Sequence, residues 1–226
     1  MTDRTASGAA GARPGRPGKA RPYHHGGLPD ALLQAAETVL KRDGLRGLTL
    51  RAIAREAGVS HTAPQHHFGD TAGVLSELAA TGHRRLAKEM EEHARGAVSG
   101  KSRRKAIAHG YIDFAFEHPD LFRLMSRNEL LDPERPSLVE ARQISARALA
   151  GVFDAATKPQ QEAGPFTGID AAQAVAMTAA WGYVHGLATL LVDHRLDGVA
   201  RAASDFRDAR ALVEAAIDGV EMVPDA

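Results

Sequence analysis

The stretch GVSHTAPQHHFGD, residues 58–70, decides how the N-terminal part of this chain folds. Gly58 follows the amphipathic segment LRAIAREA and is suited to end a helix, because glycine readily adopts the left-handed conformation found there. Ser60 is a favourable cap for a further helix that ends at Phe68. This short helix contains Pro64, three histidines and one glutamine. So many polar side chains on so short a helix suggest that it has a role beyond packing.

Two short helices with a tight turn between them are predicted here: Thr49–Ala57, the turn Gly58–Ser60, and His61–Phe68. Thr49 is a good N-cap, and Leu48 before it can pack on Ile53 as a hydrophobic staple. This arrangement is a helix-turn-helix, whose second helix enters the major groove of DNA. A helical hairpin with no role in DNA binding has the same pattern.

Flat polar side chains cover the outer face of the second helix. Pro64 lies four residues before Phe68, so both can pack inward. The residues that then point outward are His61, Thr62, Gln65 and His66. Glutamine can bridge N6 and N7 of adenine, and threonine can contact the methyl group of thymine. The helix is therefore predicted to read base edges.

Composition is that of a folded protein with an uneven charge distribution. Of the 226 residues 44% are hydrophobic, and cysteine is absent, which excludes disulfides and thiol nucleophiles. Residues 1–70 carry 10 Lys and Arg against 6 Asp and Glu, whereas residues 71–226 carry 18 against 22. A basic front and an acidic rear suggest that the front meets a polyanion.

The first 22 residues, MTDRTASGAAGARPGRPGKARP, are predicted to form a disordered basic arm. They contain no apolar core segment of the kind that a secretory signal needs. Such an arm can reach into the minor groove or along phosphates, or it can serve only as a solubilising tail.

Helical periodicity extends over the whole chain, which predicts an all-α fold. Beyond the two short helices, predicted helices cover residues 28–42, 71–93, 103–117, 119–127, 134–157, 169–193 and 204–221. The stretch from 171 to 192 contains no charged residue and is long enough to span a bilayer. Because it is rich in Ala and Gly and lies between acidic flanks, we expect a buried helix, no membrane partner and a cytoplasmic protein.

Catalytic and metal-binding patterns are missing from the sequence. The histidine pairs at 24–25 and 66–67 are adjacent, so on a helix they diverge by about 100° and chelate a metal poorly. Neither an H-E-x-x-H pattern, nor a G-x-S-x-G elbow, nor a Gly-rich phosphate loop is present. We therefore expect no enzyme, no metal and no cofactor.

Residues 23–78 resemble the N-terminal domain of TetR-family transcriptional regulators, through LLQAAETVL, LTLRAIAREAGVS and HHFGD. FAFEHPDLFRLM, residues 114–125, is similar to the junction of the fifth and sixth helices in such regulators. AWGYVHGLATLL, residues 180–191, is similar to the Trp-His-Gly signature of one TetR subgroup. The resemblance implies an N-terminal three-helix DNA-binding domain, 23–70, and a C-terminal helical ligand-binding and dimerisation domain, 71–226.

Two positions depart from the family's pattern. The residue before His66 is usually a phosphate-gripping tyrosine but is Gln65 here, and the residue after Gly69-Asp70 is usually lysine but is Thr71 here. Both changes should lower the salt-dependent, nonspecific affinity for DNA. The predicted DNA-contacting residues are Arg51, Ser60, His61, Thr62, Gln65, His66 and Thr71.

The resemblance also implies a homodimer with a small-molecule pocket. The predicted pocket residues are Tyr111, Phe114, Phe122, Met125, Met177, Trp181 and His185. Gly182 and Gly186 lie four residues apart and would let another helix approach closely, so helices 169–193 and 204–221 are the expected dimer interface. Equally, the aromatic and Met residues could be plain core, and the glycines could relieve local crowding.

These features predict a sequence-specific DNA-binding transcriptional regulator, a repressor that a small-molecule ligand releases from a near-palindromic operator. Two alternatives remain open. One is a helix-turn-helix protein that binds DNA without responding to a ligand. The other is a helical interaction module with a weakened DNA surface, as Gln65 and Thr71 suggest.

Overall fold

The computed structural model describes residues 27–150 and 170–220, which form ten α-helices and no strand. In chain order the helices are α1 (Leu28–Gly47), α2 (Leu50–Ala57), α3 (Ala63–Phe68), α4 (Thr71–Ala94), α5 (Gly100–Glu117), α6 (Pro119–Met125), α7 (Pro136–Ala150), α8 (Ala171–Val192), α9 (Asp197–Ala202) and α10 (Ala209–Gly219). The predicted all-α class is confirmed. The N-terminal arm and the end of the helix expected over 134–157 lie outside the described residues.

Local capping interactions define α2 as the sequence predicts, whereas α1 extends beyond its predicted end at Arg42. α1 loses its helical dihedrals at Gly44, which has a φ of 68°, and one further turn follows to Gly47. The Thr49 hydroxyl accepts a hydrogen bond of 3.1 Å from the Ala52 amide at the start of α2. Gly58 ends α2 in the left-handed conformation, with a φ of 69°.

The start of α3 differs from the prediction. It begins at Ala63, not at His61, because the Ser60 carbonyl accepts from the Ala63 amide at 3.0 Å and closes a turn first. The Ser60 hydroxyl accepts the Thr62 amide at 3.4 Å, inside this turn. Pro64 therefore occupies the second helical position, where a missing amide proton costs little.

Two later helix starts, and one additional helix, also differ from the prediction. α5 begins earlier, at Gly100, because Ser99 and Ser102 form a capping box. α10 begins later, since the Asp208 carboxylate caps it by accepting the Ala211 amide at 2.8 Å. The short helix α9 was not predicted.

α4 connects the two parts of the molecule. It packs against α1 and α3 of the N-terminal part and against α5, α6 and α7 of the C-terminal part. One continuous hydrophobic core includes Leu32 of α1, Ile53 of α2, Phe68 of α3 and Ile217 of α10. Because packed interiors transmit displacement, a shift of α4 is expected to reach both α3 and the C-terminal helices.

α8 is buried on one face only, which corrects the expectation of a buried helix. Its inner face, including Val184 and Ala188, packs against α5 and α10, whereas Val175 is 70% exposed. Among the described residues, α8 is the one helix that is long and apolar enough, by length and composition alone, to cross a membrane. Core helices of soluble proteins satisfy the same criteria. The outer apolar face of α8 is uncovered in the single chain.

Candidate functional site

The short helix α3 has an inner and an outer face. Pro64 and Phe68 are buried, and Phe68 keeps 6% of its surface exposed. The predicted contact residues Ser60, His61, Thr62, Gln65 and His66 are all exposed on or just before this helix, and so is His67. The helix thus packs through two apolar side chains and presents hydrogen-bonding groups to solvent, as its sequence predicts.

The two remaining predicted DNA contacts flank α3. Arg51 is exposed on α2, and Thr71 is exposed at the first position of α4. The Asp70 carboxylate caps α4 by accepting the Gly73 amide at 2.8 Å, which fixes the turn between α3 and α4. All seven predicted DNA-contacting side chains are therefore accessible.

An arginine that the sequence did not reveal holds the end of α3. Arg135, just before α7, donates to the Phe68 carbonyl at 3.3 Å and to the Glu77 carboxylate at 2.6 Å. Ser137 donates to the same carboxylate at 2.8 Å. An added Cβ at Gly73 would lie 2.0 Å from the Phe68 carbonyl oxygen, so this close packing requires glycine. The end of α3 is thereby linked to the start of α7.

A second polar contact links α1 to α4. The Arg85 guanidinium donates two hydrogen bonds, of 2.7 and 2.8 Å, to the Glu37 carboxylate, and Lys41 forms an ion pair with it at 2.9 Å. These donors, the Arg85 bonds foremost, lower the pKa of Glu37 to about 2. The Arg85–Glu37 pair therefore fastens α1 to α4, whereas Lys41 pairs with Glu37 within α1 itself.

The C-terminal helices form a partly open cavity of about 800 Å³ with lining residues on α4 to α8. This volume lies within the range of about 300–1,000 Å³ typical of small-molecule sites. The predicted pocket residues that line it are Tyr111, Phe122, Met125, Met177, Trp181 and His185. Phe114 does not line it, which corrects that prediction: its side chain is fully buried in the core, with its ring 5.4 Å from that of His118.

Tyr111 and His185 form a polar pair in the aromatic wall of the cavity. The Tyr111 hydroxyl lies 2.9 Å from Nδ1 of His185, whose ring also contacts those of Phe122 and Trp181. Burial raises the pKa of Tyr111 to about 12 and lowers the pKa of His185. Both side chains are therefore neutral at neutral pH.

A second histidine was missed by the sequence reasoning. His83 of α4 lines the cavity, and its Nδ1 lies 2.8 Å from the Ser145 hydroxyl oxygen, which itself donates to the Arg142 carbonyl at 3.1 Å. Since that hydroxyl proton is engaged, Nδ1 is the donor and Nε2 carries the lone pair, buried without a partner among the described residues. Burial lowers the pKa of His83 to about 4. This histidine is also neutral.

The sequence held a signal for these missed residues. Leu138, Ala141, Arg142 and Ser145 lie at helical spacing on α7, so two polar side chains interrupt an otherwise apolar inner face. Polar residues at such positions are expected to line a cavity or to pair across helices. No group of three or more His, Asp or Glu side chains that could hold a metal occurs within 27–150 and 170–220.

An exposed recognition helix, joined through one core to a cavity-containing helical unit, defines a helix-turn-helix protein with a second helical domain. Residues 32–78 match the model of "Bacterial regulatory proteins, tetR family", and residues 105–220 match that of "Tetracyclin repressor-like, C-terminal domain". The chain belongs to the TetR family. This family comprises regulatory proteins and not enzymes.

Two curated relatives each match about two fifths of the chain. The chain is 26% identical to the uncharacterized HTH-type transcriptional regulator YobS of Bacillus subtilis (strain 168) over 91 residues, which is 40% of this chain and 47% of YobS. It is 36% identical to the HTH-type transcriptional regulator BetI of Vibrio atlanticus (strain LGP32) over 93 residues, 38% of this chain and 46% of BetI. The chain thus spans about half the length of the curated relatives it matches.

Solved structures share the fold over most of the chain. A protein with unknown function from Rhodococcus sp. RHA1 is 34% identical, with a TM-score of 0.66 over 88% of this chain and 96% of that one. FadR from Bacillus subtilis, in complex with stearoyl-CoA, is 17% identical, with a TM-score of 0.58 over 85% of this chain and 100% of FadR. At this lower identity the likeness shows the fold alone.

Proposed function

We propose that this protein is a sequence-specific DNA-binding transcriptional regulator, a repressor that a small-molecule ligand releases from DNA. The observation that carries the proposal is the two-faced α3, which buries Pro64 and Phe68 and exposes its polar side chains. A helix held by its inner face and presenting hydrogen-bonding groups outward suits the major groove.

Within this proposal the exposed side chains make two kinds of contact with DNA, to bases and to phosphates. Gln65, His66 and Thr62 contact base edges, with Gln65 suited to adenine. Ser60, His61, Arg51 and Thr71 contact phosphates or the groove wall and fix the register of the helix.

The second part of the proposal is a homodimer. The uncovered apolar face of α8 contains Trp181, which is 52% exposed, and an added Cβ at Gly182 or Gly186 would meet nothing within 4 Å. A second copy pairing through α8 and α10 would cover this face. Two-fold symmetry then gives a near-palindromic operator whose half-sites lie about 34–36 Å apart, or a multiple of that distance.

Ligand release would follow from differential affinity. A ligand in the cavity that stabilises one arrangement of α4 and α7 shifts the dimer towards that shape, and the recognition helices then no longer fit the operator. The contact of Arg135 with the Phe68 carbonyl provides a direct connection from α7 to α3.

We also propose three finer placements. The Trp181, His185 and Gly186 pattern supports membership of a Trp-His-Gly subgroup of the family. Residues 23–70 and 71–226 form its DNA-binding and ligand-binding domains. Because the target is chromosomal DNA, the protein acts in the cytoplasm.

Selection of bound fragments from sheared genomic DNA tests the proposed function. The expected result is enrichment of a shared two-fold symmetric sequence whose binding weakens steeply with salt. Recovery of no fragments in dilute buffer would favour an interaction module with a weakened DNA surface, and recovery of fragments without a shared sequence would contradict sequence-specific binding. The Gln65→Ala variant, run in parallel, should enrich a more degenerate sequence.

A further inference from the structure

The cavity is unbalanced in charge. Among the described residues that line it Arg142 is the only one with a permanent charge, and none is Asp or Glu. His83 and His185 have lowered pKa values because they are buried, so they add no positive charge at neutral pH. A cationic ligand would find no carboxylate in this lining, whereas an anion would find a guanidinium.

Arg142 is also free to receive an anion. Its Nη2 donates to the amide oxygen of Asn128 at 2.6 Å, and no carboxylate of the described residues forms an ion pair with it. A guanidinium has five N–H donors, so most remain available after this single contact. The neutral amide orients the fork of Arg142 without neutralising its charge.

Several polar lining residues lie on the segments next to Arg142, and Tyr111 and His185 add a second polar pair within the otherwise apolar wall. Ser126, Asn128, Arg142 and Gln143 come from the end of α6, the following 3-10 turn and α7, and Asn128 and Arg142 are in direct contact. The apolar residues Leu86, Met90, Phe122, Met177 and Trp181 come from α4, α6 and α8. The lining thus has a cationic polar edge and a large apolar wall.

We infer that the effector is an amphipathic organic anion, with its acidic head on Arg142 and Asn128 and its apolar body against the aromatic wall. This inference rests on the small-molecule site of the proposed function and names its ligand class. Carboxylate, sulfate and phosphate heads share the required chemistry, since each accepts two parallel hydrogen bonds from a guanidinium.

Direct binding to the purified chain, without DNA, tests the inference. Trp181 is the single tryptophan and lines the cavity, so its fluorescence reports occupancy. The probes share one alkyl chain and differ in the head: decanoate, decyl sulfate, decyl phosphate, neutral decanamide and cationic decylammonium. We expect at least one anionic probe to bind about tenfold or more tightly than decanamide, as a charged hydrogen-bonded contact provides, and decylammonium to bind most weakly.

Variants of α7 test whether Arg142 causes the preference for anionic probes. Arg142→Gln should remove the advantage of the anion and leave decanamide binding unchanged, whereas Arg142→Lys should keep part of it. Arg147→Gln, at an exposed position of the same helix that does not line the cavity, is the matched control and should bind as the native chain does. Circular dichroism spectra and melting temperatures that match those of the native chain would show that each variant is folded.

The outcomes separate this inference from the proposed function. Equal binding of decanamide and the anions, tighter binding of decylammonium, or a preference that survives Arg142→Gln would overturn the anionic class alone. If no probe of any charge changes the Trp181 signal or binds by calorimetry, the small-molecule site and this inference fail together. Loss of DNA binding would leave both untouched, because no DNA is present.

Discussion

The Arg135 guanidinium donates to the Phe68 carbonyl at 3.3 Å, across 67 residues of chain. Phe68 is the last residue of the recognition helix, and Arg135 immediately precedes the helix that contributes Arg142 and Ser145 to the cavity. The same guanidinium pairs with Glu77 of α4, with side chains that are 21% and 20% exposed. Arg135 therefore contacts both the recognition helix α3 and the central helix α4, and it lies just before α7, which contributes to the cavity wall.

Removing this arginine should weaken DNA binding. Arg135→Ala leaves the Phe68 carbonyl without that donor and takes the arginine from Glu77, so we expect operator affinity to fall about tenfold, a loss of about 1.4 kcal/mol. Fluorescence anisotropy with the selected operator measures it. Arg127→Ala is the control, since Arg127 is exposed and pairs with exposed Glu129. Native affinity in Arg135→Ala would contradict a positioning role.

Gln65→Ala should relax sequence preference at one base position in each half-site and cost about 1–3 kcal/mol of discrimination there. The loss should fall on the preferred base, because a phosphate contact would weaken all sequences alike. Competition binding with operators changed one position at a time gives the profile. Gln34→Ala, at an exposed position of α1, should leave the profile unchanged. An unchanged profile for Gln65→Ala would exclude base reading by this side chain.

Gly182→Leu should break the homodimer without harming the single chain. A Cβ at Gly182 meets nothing within 4 Å in the monomer, and leucine favours a helix more than glycine does, so monomer stability should hold or rise by about 0.5–1 kcal/mol. Any loss of association then reports contact with a second copy. Sedimentation velocity measures it, with Gly198→Leu on α9, another open position, as the control. An intact dimer in Gly182→Leu would remove this face of α8 from the interface.

Glu37→Gln should lower the free energy of unfolding by about 1–2 kcal/mol at neutral pH. This is less than the full shift in the pKa of Glu37 would give, because solvent screens the ion pair where the Arg85 side chain is 38% exposed. The pKa of Glu37 is lowered from 4.5 to about 2, so its stabilisation is complete above 4.5 and is lost as pH falls towards 2. The difference between native and variant chains should shrink in that window.

Urea denaturation at a series of pH values measures this difference. Glu140→Gln is the matched control, because Glu140 is 67% exposed and pairs with Arg84 at 3.1 Å. A difference that persists unchanged as pH falls below 4.5, or one of equal size in the control, would contradict the role assigned to Glu37.

Sequence reasoning succeeded where structure depends on neighbouring residues. Thr49 and Gly58 bound α2 through contacts within four residues, and Pro64 and Phe68 share a face by spacing alone. It misplaced the start of α3 because the Ser60 carbonyl closes a turn that competes with the helix.

The cavity was harder to predict because its lining depends on how helices cross. Tyr111 and Phe114 lie three residues apart on α5, yet one lines the cavity and the other is enclosed in the core. His83 and Arg142 come from helices that meet only in the folded chain. Because both are polar residues on largely apolar helix faces, the sequence marked them as unusual. The pattern of one helix face does not show which other helix it packs against.

The central claim is that α3 lies against base pairs and that a twin copy reads the other half of a symmetric target. A photo-crosslinking amino acid placed at Gln65, with the selected operator, tests it most directly. We predict crosslinks to bases at two positions related by the two-fold axis, and none from the same group placed at Gln34. DNA binding that persists without a base crosslink from position 65, or with crosslinks in one half-site only, would contradict the account.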